Sequence, residues 1–203
     1  MARNRSALYI GLLIAAAAAA GYIVARVLQE GAPQLSSGTA LPQPRPVTAF
    51  SLTDQDGNPF DNQRLEGKPS LMFFGFTHCP DVCPTTLALM TQLHRDPALQ
   101  ALQMVFVTVD PGRDDTVTLR HYVDAFGGGF TALRGEDAAL EPLLQSLGVA
   151  RSVQRLPGGD YAVDHSATLF FINASGALSA VFTPPFDRAR LRSDLLALIS
   201  SRH

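Results

Sequence analysis

The chain has 203 residues, 46% of them apolar and 17% charged, with a formal net charge of −2. Nothing in this composition marks the chain as disordered or as a nucleic-acid binder, and so mild a charge gives no ground for inferring a basic partner surface. Setting aside an apolar N-terminal segment and a polar stretch after it leaves roughly 155 residues, about one ordinary domain.

Ala7 to Val24 reads ALYIGLLIAAAAAAGYIV. At about 1.5 Å per residue, and extended by Ala25, Val27 and Leu28, it is long enough for a bilayer core of about 30 Å. A transmembrane anchor over residues 7–28 is expected. Arg3 and Arg5 precede the run, and Arg26 follows it with Glu30 beyond. The positive-inside rule therefore modestly favours a cytoplasmic N-terminus, residues 1–6, with the remainder on the far side. A cleaved signal peptide competes, since Ala15 to Ala20 offers small residues for cleavage, but its apolar region is usually only about 7–15 residues. Both readings export the domain. No cysteine lies near the segment to carry a lipid, and no Arg- and Ser-rich transit sequence precedes it. A single-pass protein of the bacterial inner membrane, with its domain in the periplasm, fits best.

Residues 29–46 are rich in Pro, Gly, Ser and Gln and predict a semi-extended linker. A domain over residues 47–203 is expected to follow. Phe50 to Phe60 places Asp56-Gly57 between two short apolar stretches, the signal for an opening β-hairpin. Ser70 to Phe76, SLMFFGF, predicts a strand buried on both faces, and a helix should begin at the second cysteine, with Leu87, Met90 and Leu93 at helical spacing. Met104 to Val109 is a second buried strand, and Thr116 to Phe126 a helix closed by Gly127. Strand, helix, strand implies a right-handed parallel crossover. Glu136 to Leu147 predicts a further helix with Gly148 as its stop. Thr168 to Ile172 and Ala177 to Phe182 form a late hairpin, and Asp187 to Ser200 a closing helix with Leu191, Leu195, Leu196 and Ile199 inward. The order describes an α/β sandwich with a mixed central sheet.

Cys79-Pro80-Asp81-Val82-Cys83 holds both cysteines of the chain. The motif lies where a buried strand meets a helix N-terminus, a position that favours the thiolate, the form that binds metal or attacks a disulfide. Four-residue spacing puts both sulfurs on one side of the opening turn. A purely structural disulfide gains little here, because a loop of about five residues stabilises by about 2 kcal/mol against about 3 for fifteen. Thiol exchange enzymes of this layout usually carry two intervening residues, and here there are three. Two soft thiolates select copper or zinc, but a metal needs a further ligand. Of the five histidines, His94, His121 and His203 read as surface positions. His78 could complete a local site, and His165, in Asp164-His165-Ser166 before an apolar strand, a long-range one.

Gly75 to Pro84, GFTHCPDVCP, resembles the Sco/SenC signature, and Tyr161 to Ser166, YAVDHS, is similar to that family's second signature. Val109 to Asp114, VDPGRD, and the stretch Thr53 to Gly57 match further segments in the family's order. Where many members read Arg-Asp-Thr-Pro, this chain has Arg113-Asp114-Asp115-Thr116. The resemblance implies a thioredoxin-like fold and one copper ion held by Cys79, Cys83 and His165. It further implies a role in assembling the binuclear copper centre of cytochrome c oxidase. The implied partners are the oxidase copper-site subunit, a periplasmic copper donor or thiol reductant, and the membrane through the N-terminal helix, with no nucleic acid. Two thiolates and a neutral imidazole give a site of charge −1 with Cu(I) and zero with Cu(II), and this mixed donor set tolerates both states. A closed zinc site would want a fourth ligand, for which Asp81 or Asp164 are the candidates. A thiol–disulfide reductase that keeps the oxidase cysteines reduced is the alternative function, with a peroxidase more distant.

Overall fold

The computed structural model describes residues 3–28, 33–156 and 160–201. Two units divide it between residues 32 and 33. The first contains helix α1, Arg3–Leu28. Its described side chains are those of residue 9 and residues 11–22, and Tyr9, Leu12, Leu13, Ile14 and Tyr22 are exposed. Among the described residues no helix is long and apolar enough to cross a membrane. The flanking side chains of the expected span, together with residues 1–2, residues 29–32 and His203, lie outside the described residues.

The second unit is built on an eight-stranded mixed sheet. Its strands are β1 (Thr39–Pro46), β2 (Ser51–Asp54), β3 (Pro59–Asp61), β4 (Ser70–Gly75), β5 (Gln103–Thr108), β6 (Phe130–Arg134), β9 (Leu169–Ile172) and β10 (Ala177–Phe182). They lie in the order β1-β10-β9-β4-β5-β6-β2-β3. The expected hairpins are β2–β3 and β9–β10, and β4, β5 and β6 run parallel. Every residue of β4 is buried, as its unbroken apolar run requires when both faces are covered. Phe73, Phe74 and Phe106 are wholly inaccessible, and each such side chain contributes about 1.5–3 kcal/mol by leaving water.

Four helices accompany the sheet: α2 (Val82–His94), α3 (Thr116–Asp124), α4 (Asp137–Leu147) and α5 (Arg188–Ser200). Gly148 ends α4 in the left-handed conformation at φ 71°, which a glycine adopts without steric cost. A separate antiparallel ribbon, β7 (Arg151–Arg155) with β8 (Tyr161–His165), completes the fold. Neither the ribbon nor β6 carries a strong apolar pattern, and both are additions to the elements predicted from sequence.

The linker expected over residues 29–46 is corrected in its second half, where β1 pairs antiparallel with β10. Its prolines argue against a central strand, but β1 is the sheet edge, and its register shifts between Ala40 and Arg45. Residues just before it are tied down as well. Asp194, on α5, accepts from the backbone N–H and hydroxyl of Ser36 at 2.8 and 2.9 Å, and from those of Ser37 at 2.7 Å each. Leu191, Leu195 and Leu198 bury alongside Asp194, while Leu196 and Ile199 are only partly covered.

Burial of Asp194 acts to raise its pKa, but the bonds from Ser36 and Ser37 outweigh it and hold the carboxyl below the ordinary carboxylate range. A depressed carboxyl stabilises the fold above the unfolded value of about 3.9, and that stability is lost as pH falls through the folded value. Asp194→Asn is expected to cost about 1.5–3 kcal/mol at pH 7. The gap from wild type should close as the pH drops below the ordinary carboxyl range, as read by denaturant unfolding at several pH values. A pH-independent gap would refute the charged clasp.

Candidate metal centre

Strand β4 ends at Gly75, and the chain turns through Phe76 to Asp81 into α2. A Cβ at Gly75 would lie 2.9 Å from Cys83 Sγ and 2.8 Å from the Phe106 ring, so only glycine lets the second sulfur pack against this strand. Asp81 stands at the N-cap of α2 but makes no side-chain cap bond. Instead the Cys83 N–H donates to Cys79 Sγ at 3.4 Å, and the first sulfur caps the helix in its place. Cys79 is half-buried, Cys83 is buried, and both are free thiols.

His165 is the last residue of β8. Its Nε2 lies 3.4 Å from Cys83 Sγ, across 82 residues of sequence, and its Nδ1 lies 3.1 Å from the Ser166 carbonyl oxygen. Bonding of Nδ1–H to that carbonyl leaves the Nε2 lone pair facing the sulfur, the tautomer a metal ligand requires. Phe73 and Phe76 meet the imidazole edge-on at 6.1 and 5.8 Å.

Burial dominates the electrostatics. It lowers the pKa of His165, so the ring is neutral at neutral pH. At Cys83, burial together with the bond to Cys79 pushes the thiol far above its ordinary value of 9.0. The sequence expectation of a thiolate favoured by the helix N-terminus is therefore corrected for Cys83, where desolvation wins.

The donor atoms of Cys79, Cys83 and His165 all lie within 4.8 Å of one another, the one such cluster among the described residues. A metal at about 2.0–2.3 Å from each donor wants them about 4 Å apart in a trigonal set, so side-chain adjustment of under about 1 Å closes the site. Two sulfurs with one imidazole suit copper, and the fourth ligand that a closed zinc site needs is not in the cluster. Asp164 alternates to the outer face of β8 and bonds Gln154 at 2.9 Å. His78, the local alternative, is 56% exposed and turns to Thr77 and Asp114. His121 is exposed, but His94 is half-buried and packs where a Cβ on Gly129 would sit, which corrects its reading as a surface residue.

The SCO1/SenC family profile matches residues 39–200. The chain belongs to that family. A protein of Stutzerimonas stutzeri described as copper-binding is 37% identical over 148 residues, which are 71% of this chain and 72% of that protein. The mitochondrial SCO2 homolog of mouse is 35% identical over 155 residues, 74% of this chain but only 59% of the relative. Among solved structures, Bradyrhizobium japonicum ScoI with copper bound superposes with a TM-score of 0.69 at 32% identity, covering 75% of this chain and 99% of that one. Yeast Sco1 with copper bound superposes at 0.72 with 28% identity, covering 79% and 91%. The α/β, thioredoxin-like fold with its mixed sheet is thus the SCO1/SenC fold.

Within this SCO1/SenC domain the cysteine loop rests on a buried carboxylate that reasoning from chemistry alone did not single out. Asp114 is wholly inaccessible and accepts from the Thr77 N–H at 3.0 Å, the Thr77 hydroxyl at 2.6 Å and the Thr108 hydroxyl at 2.6 Å. The only signal for it was the VDPGRD segment. Asp114→Ala would orphan these donors, each at about 1–3 kcal/mol. Urea unfolding is expected to show a loss above about 2 kcal/mol, and wild-type stability would mean the loop is held by something else.

Proposed function

We propose that this chain binds one copper ion through Cys79, Cys83 and His165 and carries it to the binuclear copper centre of cytochrome c oxidase during assembly. The convergence of the three donors from two distant parts of the chain is the observation that carries the reading. The family, and relatives named for bound copper, support it. The metal replaces the thiol protons, so uptake releases protons and apparent affinity rises with pH. Three donors, two of them on the half-buried residues Cys79 and His165, leave room for a recipient's ligand to join before the carrier's ligands let go.

The reductase alternative uses the same cysteines and does not need His165. Placement of a neutral imidazole against Cys83 favours the carrier reading. We further propose that residues 7–28 anchor the chain in the bacterial inner membrane with the N-terminus in the cytoplasm and the domain in the periplasm. The apolar run and the arginines before it support this.

Two measurements test these readings on the full chain, the first in detergent and the second in cells. His165→Ala should retain Cu(I) through two thiolates yet weaken Cu(II) by at least about tenfold, as the borderline cupric ion loses its imidazole. Either cysteine to Ala should impair both states, and His78→Ala should change little. Retention of the cupric spectrum in His165→Ala with its loss in His78→Ala would overturn the assignment. For the anchor, a reporter fused after His203 should be active only outside the cytoplasm, and cytoplasmic activity would refute the topology.

A further inference from the structure

The two halves of the metal centre ride on different parts of the chain. Cys79 and Cys83 belong to the loop and helix that follow β4, whereas His165 closes the β7–β8 ribbon, a two-stranded sheet of its own. Alternation along β8 puts Tyr161, Val163 and His165 on one face. All three turn inward: Tyr161 donates its hydroxyl to Asp110 at 2.6 Å, Val163 is buried, and His165 meets Cys83.

Arg113 touches both halves. Its guanidinium lies 4.0 Å over the Tyr161 ring and donates through Nη1 to the Tyr161 carbonyl at 3.3 Å. On the other side it stands 5.8 Å from the centre of the Phe76 ring. Phe76 belongs to the cysteine loop: its carbonyl accepts the Cys79 N–H at 3.3 Å, and its ring meets His165 edge-on. The guanidinium is itself fixed, because Nε donates at 2.5 Å to Asp110, the same buried carboxylate that holds Tyr161.

We infer that Arg113, anchored on Asp110, is a positioning residue that locks the ribbon carrying His165 against the loop carrying the cysteines. It thereby sets whether a bound copper ion gains its imidazole. The inference rests on the copper reading above. A planar guanidinium suits the task because it stacks on a ring and donates in its own plane at once, which a lysine ammonium does not do. The consequence is selective. Two thiolates on one loop hold Cu(I) without help, whereas Cu(II) depends on the imidazole, so a loosened ribbon separates the two oxidation states. A residue that merely stabilised the fold would weaken both together.

The test uses the full chain in detergent with Arg113→Met, Arg113→Lys and Tyr161→Phe, each checked for folding by circular dichroism. Titration with cupric sulfate should show Cu(II) affinity reduced about 10–100-fold in both Arg113 variants, the usual effect of removing a residue that orients a ligand. The sulfur-to-copper absorption should move toward that of His165→Ala, and anaerobic Cu(I) titration should match wild type. Tyr161→Phe, which keeps the stacked ring, should fall between. In the metal-free protein, amide exchange over Arg151–Arg155 and Tyr161–His165 should quicken, a readout that needs no copper. Wild-type cupric spectra and ribbon exchange in both Arg113 variants would overturn the inference, as would equal loss of Cu(I) and Cu(II). Arg113→Lys and Tyr161→Phe keep the test decisive should Arg113→Met not fold. If wild-type protein shows no cupric band that His165→Ala removes, the copper reading fails, and the exchange rates alone decide whether Arg113 holds the ribbon in place.

Discussion

Strand β9 runs antiparallel to β4 with Phe73 opposite Leu169, and this register decides where Cys79, Cys83 and His165 come together. In an antiparallel pair the start of one strand abuts the end of the other. The chain therefore approaches β9 at the same end of the sheet where β4 releases the cysteine loop, and His165, four residues before Leu169, reaches Cys83. Strand β5, parallel to β4, ends there too, with Thr108 beside Gly75. It delivers Asp110, Arg113 and Asp114 to the same end, the usual place for a site in a sheet with parallel strands.

Burial then governs the protonation of the candidate ligands. A charge taken out of water without a partner is costly. The buried sulfur accordingly keeps its proton and the imidazole stays neutral, so Cys83 and His165 share a hydrogen bond in place of an ion pair. A bound cation changes the balance, since its charge is what makes two thiolates tolerable in this environment. Two buried carboxylates close to the cysteine loop have their oxygens engaged, Asp114 by two threonines and Asp110 by Arg113 and Tyr161. Asp110 holds the Tyr161 hydroxyl proton, raising its pKa.

The edge of the sheet shows how weak local signals are overruled by partners. Thr39–Pro46 has prolines that cannot serve a central strand, yet a strand with one free side needs only part of its hydrogen bonds. Pairing with β10 and the clasp of Asp194 on Ser36 and Ser37 bring this segment into the domain, and the family match begins at its first residue, 39.

The sequence by itself determined the elements whose patterns are strong: the buried runs of β4 and β5, the helices that follow them, the hairpins around Asp56-Gly57 and Asn173-Gly176, and the pairing of Cys79 with Cys83 at a helix start. These are local properties, set by the period of apolar residues and by turn chemistry within a few positions. From residues alone His165 and His78 stood as rival ligands, and only resemblance to a family chose between them. Tertiary structure is what brings His165 beside Cys83 and turns His78 to Thr77 and Asp114, because a separation of 82 residues is closed by sheet register, to which no local pattern is sensitive. It also decided the protonation of Cys83, since desolvation depends on what the rest of the chain packs around the sulfur. Likewise it assigned roles to Asp110, Arg113, Asp114 and Tyr161. Each is an ordinary polar residue in sequence, and each gains its meaning from a partner that the fold brings to it.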